Sequence, residues 1–150
     1  MPRHKTLIPL SQEHHHTLVL ALRLKKGGPT THKDLWPTDL KSQIEQTIEY
    51  CDGEILPHFE LEERTIFPIA KDLETAKPII ETLLTDHEDL RQMIAALPGL
   101  LFASEDNAKT ALRALGERLE KHIRKEERDL FPLLESELSG QDWTEIGRGS

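Results

Sequence analysis

A single cysteine, Cys51, leaves no internal disulfide framework to hold this chain, and a thiol used so sparingly suits a reducing compartment. Aromatics make up only 5% of the 150 residues and no alternating β-branched run occurs, so a sheet has little to be built from. Positive charge is in deficit. The net charge of −8 argues against nucleic acid and against anionic membrane surfaces as partners. Long apolar runs are missing as well: no uninterrupted stretch approaches the roughly 18 residues of a membrane span, and the N-terminus lacks the apolar core of a signal peptide. The expectation is one soluble, cytoplasmic domain over residues 1–150, its core at about 11–138 with short tails at both ends. That length admits a real core without a second domain.

What is abundant is Leu, Glu, Lys and Arg, which favour helices. Periodicity and punctuation predict four of them. The first runs from about Ser11, a suitable N-cap, to Lys26, before Gly27-Gly28-Pro29. The second runs from near Thr38 to about Leu73, with a kink or bulge expected at Pro57. The third occupies about Thr75 to Leu97, ahead of Pro98-Gly99, and the fourth starts at Asp106 or Asn107 and reaches about Leu138, bent at Pro132. Short connections between helices of this length predict an all-α, up-down-up-down four-helix bundle. Beyond Gln141 the tail carries one signal, Trp143, which is expected to dock on the end of the bundle.

The strongest pattern is a repeat. His58-Phe-Glu-Leu-Glu62-Glu63-Arg64-Thr-Ile-Phe67-Pro68 recurs 64 residues later as His122-Ile-Arg-Lys-Glu126-Glu127-Arg128-Asp-Leu-Phe131-Pro132, with six of eleven positions identical. Helix positions i and i+4 share a face, so each copy can aim an imidazole and a carboxylate at one point. Apolar neighbours (Phe59, Ile66 and Phe67; Ile123, Leu130 and Phe131) put these groups in or beside the core. A buried, unpaired imidazole or carboxylate costs roughly 1–3 kcal/mol or more, which a metal would offset. Glu63 and Glu127 lie about 100° round the helix from the first Glu of each pair and are expected as solvated charges paired with Arg64 and Arg128.

Each half of the chain also carries a lone histidine ahead of its motif. His87 shares a face with Leu83, Leu84, Leu90 and Ile94. In Glu13-His14-His15-His16, His15 is in phase with the apolar stripe Leu18, Val19 and Leu22, whereas His14 leads to Thr17, Leu18 and Ala21. His15 is therefore favoured, His14 stays open as the alternative, and His16 is expected on the surface. His4 precedes the helices and is expected to be disordered. A helix rise of about 1.5 Å per residue takes the connection bearing His32 roughly 16 Å from the histidine level. Cys51, two turns before His58, reads as a small core residue. In an up-down bundle the six groups His15 (or His14), His58, Glu62, His87, His122 and Glu126 converge on a pseudo-two-fold centre.

With these residues in place, the chain resembles the hemerythrin-like, or HHE cation-binding, domains from Ser11 to about Leu138. The resemblance rests on the two His-x-x-x-Glu-Glu segments ending in Phe-Pro, and on Glu13-His14-His15 and Asp86-His87-Glu88. It implies a non-haem di-iron centre, two Fe ions with an oxo or hydroxo bridge, with Glu62 and Glu126 as bridging carboxylates. His15 and His58 would serve one iron, His87 and His122 the other. Alignment by the Glu-His pair favours His14 over His15. The oxygen carriers of that family have a second histidine one turn from the third-helix ligand, where this chain has Leu83 and Arg91, and His-x-x-x-x-Asp in the fourth helix, where it has His-x-x-x-Glu. Ferritin-like di-iron proteins use Glu-x-x-His, which the motif positions do not contain.

The function implied is binding of, or reaction with, O2, peroxide or NO, with a separate protein partner needed if the chain is a sensor. Two further readings stand beside it. One is a di-iron redox enzyme for peroxide disproportionation or NO reduction, though no additional acid or base is visible. The other is a helical module for a different divalent metal, since imidazole and carboxylate suit several.

Overall fold

Proline placement shapes every long helix in the computed structural model, which describes residues 2–149. Helix α1 (Ile8–Lys26) starts ahead of Ser11. Pro9 sits in its first turn, where a missing N–H is no loss, and the Ser11 hydroxyl instead bonds Glu127 at 2.8 Å. Gly27, at φ 83°, closes the helix with its N–H on the Arg23 carbonyl at 2.8 Å. The connection that follows is tied down by Arg23, which pairs with Asp34 at 2.7 and 3.0 Å and lies over the Trp36 ring.

The second long segment starts at α2 (Leu40–Tyr50), capped by Asp39, which accepts from the Ser42 N–H at 2.9 Å. It widens into a π turn over Cys51–Ile55 and resumes as α3 (Leu56–Thr65) and the short α4 (Phe67–Ala70). Pro57 would clash with the carbonyl four residues back. The π turn relieves this, with the Leu56 N–H reaching Cys51 instead. Helix α5 (Lys77–Ala95) leads through a 3-10 segment (Leu97–Phe102) to α6 (Glu105–Lys125). Ser104 caps α6 by accepting from Asn107, so Asp106 and Asn107 fall inside the helix rather than at its cap. A second π turn, Glu126–Leu130, precedes Pro132 in α7 (Phe131–Glu137).

The C-terminal tail is a helix, α8 (Gly140–Arg148), opened by reciprocal capping between Ser139 and Asp142. It buries Trp143 and Ile146, and Trp143 stacks on His4 at 3.8 Å, so His4 has a fixed place. The core thus extends past residues 11–138, to Leu7 and Ile146. The described residues are helical with no strand, and none of their helices is long and apolar enough to cross a membrane.

The buried apolar side chains form two clusters. One holds Leu20, Leu24, Phe59, Leu90, Ile94 and Leu119; the other holds Leu10, Ile66, Ile80, Leu83, Leu130 and Phe131. Each long segment contributes side chains to both clusters. His14, His87 and His122 lie in sequence between their segments' contributions to the two clusters, and His58 lies beside Phe59 at the end of its segment's share of the first. Helix α1 packs chiefly on α6, and Gly116 permits the approach: a Cβ there would sit 2.8 Å from the Ala21 carbonyl oxygen and 3.0 Å from Leu24 Cβ. Gly116→Ala should therefore lower stability by about 1–3 kcal/mol, although alanine gains up to about 1 kcal/mol of helix propensity. Thermal melts of the two proteins test this; an unchanged or higher midpoint would show that the helices can separate at no cost.

Candidate metal centre

The buried face of α1 is Leu10, His14, Thr17, Leu20, Ala21 and Leu24. That face carries His14 into the core and leaves His15 and His16 exposed. The expectation for His15 is corrected here. The stripe Leu18, Val19 and Leu22 that favoured it lies partly outside, with Leu22 50% exposed. Ala21 looked like a weak core residue because it is small, and smallness is what the close crossing with Gly116 requires. His14→Ala should accordingly cost the protein metal while His15→Ala retains it. Metal content of the two purified variants decides, and loss from His15→Ala alone would overturn this placement.

His14, His58, Glu62, His87, His122 and Glu126 are all buried, Glu62, His87 and Glu126 completely. They meet at the level between the two apolar clusters. Glu62 sends Oε2 to within 3.4 Å of His58 Nε2 and 4.0 Å of His14 Nε2, and Oε1 to 3.3 Å from His87 Nε2. Glu126 does the same from the other side, with Oε2 3.4 Å from His14 Nε2 and Oε1 2.7 Å from His122 Nε2. Two overlapping sets result, His14–His58–Glu62–Glu126 and Glu62–His87–His122–Glu126. Within each set the ligand atoms lie within 4.8 Å of one another. Both oxygens of Glu62 and of Glu126, and Nε2 of His87 and His122, are buried without a hydrogen-bond partner. The 2.7 Å approach of His122 to Glu126 is close, but its angles are not those of a hydrogen bond. Orphaned buried acceptors of this kind are costly, and a cation satisfies them together.

The outward imidazole nitrogens are held by a different set of carboxylates. Nδ1 of His14 meets Glu127 at 2.6 Å, and that of His87 meets Glu63 at 2.6 Å. His58 meets Glu13 at 3.2 Å and His122 meets Asp86 at 3.1 Å. Glu63 and Glu127 are thus not the solvated charges expected, and their arginine partners are Arg91 and Arg3 rather than Arg64 and Arg128. The signal that marks the four carboxylates is an acid next to a buried cluster residue: Glu13 beside His14, Glu63 beside Glu62, Asp86 beside His87 and Glu127 beside Glu126. Phe59 stacks on His87 at 4.0 Å and Phe131 lies 5.5 Å from His14, which fixes the rings in apolar surroundings. His32 is exposed and Cys51 is buried in the apolar core, both apart from the cluster.

Burial pushes the His14 imidazole down, but Glu126 and Glu127 outweigh it and raise its pKa to about 9. Burial likewise lowers His58, but Glu62 with Glu13 outweighs it and raises the pKa to about 11. For His122 the same balance, with Glu126 and Asp86 as the raising groups, gives about 10. Without a metal, imidazolium charge offsets the buried carboxylates, and a bound cation displaces those protons.

A family model described as the hemerythrin HHE cation-binding domain matches residues 7–134. The chain belongs to this family. No match was found among the curated proteins or among the solved structures. As a hemerythrin HHE domain the chain is a helical, cation-binding protein, and its buried His and Glu cluster fits the donor chemistry of a first-row metal. The match to the HHE domain covers both Glu-Glu pairs and all four buried histidines, and stops before α8.

Proposed function

We propose that this protein is a non-haem di-iron protein that binds or reacts with O2, peroxide or NO at a carboxylate-bridged site inside an up-down-up-down four-helix bundle. The observation that carries this reading is the division of Glu62 and Glu126, each of which turns one oxygen toward each histidine pair. His14 and His58 would hold one iron and His87 and His122 the other, with the two glutamates common to both. The irons supply exchange between ferrous and ferric states. The chain supplies a dry, apolar surround and imidazoles with a fixed proton on the outer nitrogen.

The size of the adjoining cavity supports a small ligand. It is lined by His14, Thr17, Ile55, His58, Phe59 and His122 among others, and at about 10 Å³ it takes roughly one water-sized molecule. A space of that size leaves no room for a large substrate. Metal analysis of protein purified without added metal, together with an optical spectrum, tests the reading. About two irons per chain with oxygen-to-iron charge-transfer absorption is the expected result. Zinc or manganese in their place would overturn it in favour of the module for another divalent metal. Continuing product from peroxide or NO, instead of one stoichiometric spectral change, would identify the redox enzyme.

A further inference from the structure

The four carboxylates behind the imidazoles follow a rule. Each is the sequence neighbour of a residue in the buried cluster: Glu13 precedes His14, Asp86 precedes His87, and Glu63 and Glu127 follow Glu62 and Glu126. Helical neighbours diverge by about 100°, so the residue beside a core-facing group projects toward the seam with an adjoining helix. There it meets another helix's imidazole. Glu13 of α1 reaches His58 of α3, and Glu63 of α3 reaches His87 of α5. Asp86 of α5 reaches His122 of α6, and Glu127, in the π turn after α6, returns to His14 of α1. The links close into a ring.

We propose that Glu13, Glu63, Asp86 and Glu127 are positioning residues of the metal centre, a closed ring in which every long segment presents one imidazole to the metal and one carboxylate clamp to a neighbour's imidazole. The inference rests on the reading of the inner cluster as a metal site. A carboxylate at Nδ1 holds the proton there, leaves the Nε2 lone pair for the metal and makes the imidazole a stronger donor. Three of the clamps are anchored in turn. Arg91 bonds both oxygens of Glu63 at 2.8 and 2.9 Å, Arg3 reaches Glu127 at 3.2 Å, and Arg118 lies 3.7 Å from Asp86. Among the described residues no arginine pairs with Glu13, whose side chain is 41% exposed.

The ring also accounts for the doubled glutamate in each repeat. Glu62 and Glu126 face both histidine pairs. Glu63 and Glu127 cross from one pair to the other, since Glu63 shares a helix with His58 and clamps His87, while Glu127 follows His122 and clamps His14. Glu13–His58 and Asp86–His122 are links within a pair. Cutting a link releases one imidazole and weakens the position that imidazole serves, and cutting the Glu13 link, which no arginine anchors among the described residues, disturbs least.

Zinc is the probe, because it accepts the same donors and is diamagnetic. Zinc is titrated into full-length apo protein against a chromophoric chelator, and long-range 1H–15N spectra of the zinc-loaded protein report which imidazole nitrogen bears hydrogen. Glu63→Leu and Glu127→Leu should lose zinc affinity by about 10- to 100-fold at the position served by the unclamped imidazole, with the Nδ1–H signal of that imidazole lost. Glu63→Gln and Glu127→Gln keep an acceptor and the volume, so they should restore that signal and lose only about three- to tenfold. Glu13→Leu should show the smallest loss of the four Leu variants. Affinities within about twofold of wild type, or losses with unchanged imidazole spectra, would overturn the proposal. Should a Leu variant not fold, its Gln counterpart decides by the same affinity criterion. Wild-type protein that takes zinc but not iron defeats the di-iron reading and leaves the ring to these variants. Wild-type protein that takes neither defeats both.

Discussion

Glu62→Ala and Glu126→Ala each lose both metal ions, or keep at most one weakly: this is the result expected if the two glutamates are shared. Each carboxylate is fully buried, and each splits its oxygens between the histidine pairs. Deleting one therefore strips a donor from both positions at once, unlike deletion of a histidine, which strips one. Two metals held close together would also repel, and a carboxylate shared between them would offset that repulsion in a site with little water. Metal content and the optical spectrum of the two variants provide the check. Two ions per chain with an unchanged spectrum in both would show that neither glutamate is a bridge.

Removal of metal should lower the melting temperature by on the order of 10 °C. A ligand bound only by the native state stabilises it by RT ln(1 + [L]/Kd), about 3–4 kcal/mol at several hundred times Kd, and in a domain of this size each kcal/mol moves the midpoint by about 2–4 °C. The physical source is the layer of orphaned acceptors. Protons on His14, His58 and His122 offset part of the charge, yet both oxygens of Glu62 and Glu126 stay without hydrogen bonds. Coincident melting curves for chelated and metal-loaded protein would place any bound metal outside this layer.

The helical class, the breaks at Pro57 and Pro132 and five of the six cluster residues were legible from spacing alone. The His-x-x-x-Glu repeat survives any small error in helix boundaries, because i and i+4 share a face wherever the helix begins. His14 was not settled in that way. A phase argument that weighs residues by apolar size ranks Leu22 above Ala21, but packing against Gly116 rewards the smaller side chain. Glu63 and Glu127 look solvated in the sequence for a related reason. Their partners His87 and His14 lie 24 and 113 positions away, beyond the reach of a helix-by-helix reading, whereas Arg64 and Arg128 are adjacent and misleading. Helix α8 leaves little trace in the sequence because its nine residues carry only Trp143 and Ile146 to bury, and Ser139–Asp142 capping supplies what periodicity in so short a segment cannot.

The separation of the apolar core into two clusters bears on how the molecule comes apart. A continuous hydrophobic interior melts as one unit, because each side chain that loosens weakens the packing of those around it. Here the interior is interrupted by a polar plane, and what joins the halves through that plane is the six-residue cluster with the helices that cross it. With a cation bound across that plane, the halves share one strong joint and should unfold together, giving equal calorimetric and van't Hoff enthalpies. Emptied by chelation, the same plane becomes the weakest section of the fold, and the half built on Leu7, Ile80 and Trp143 can loosen while the half around Ile44 and Leu115 persists. Metal would then govern how many steps unfolding takes.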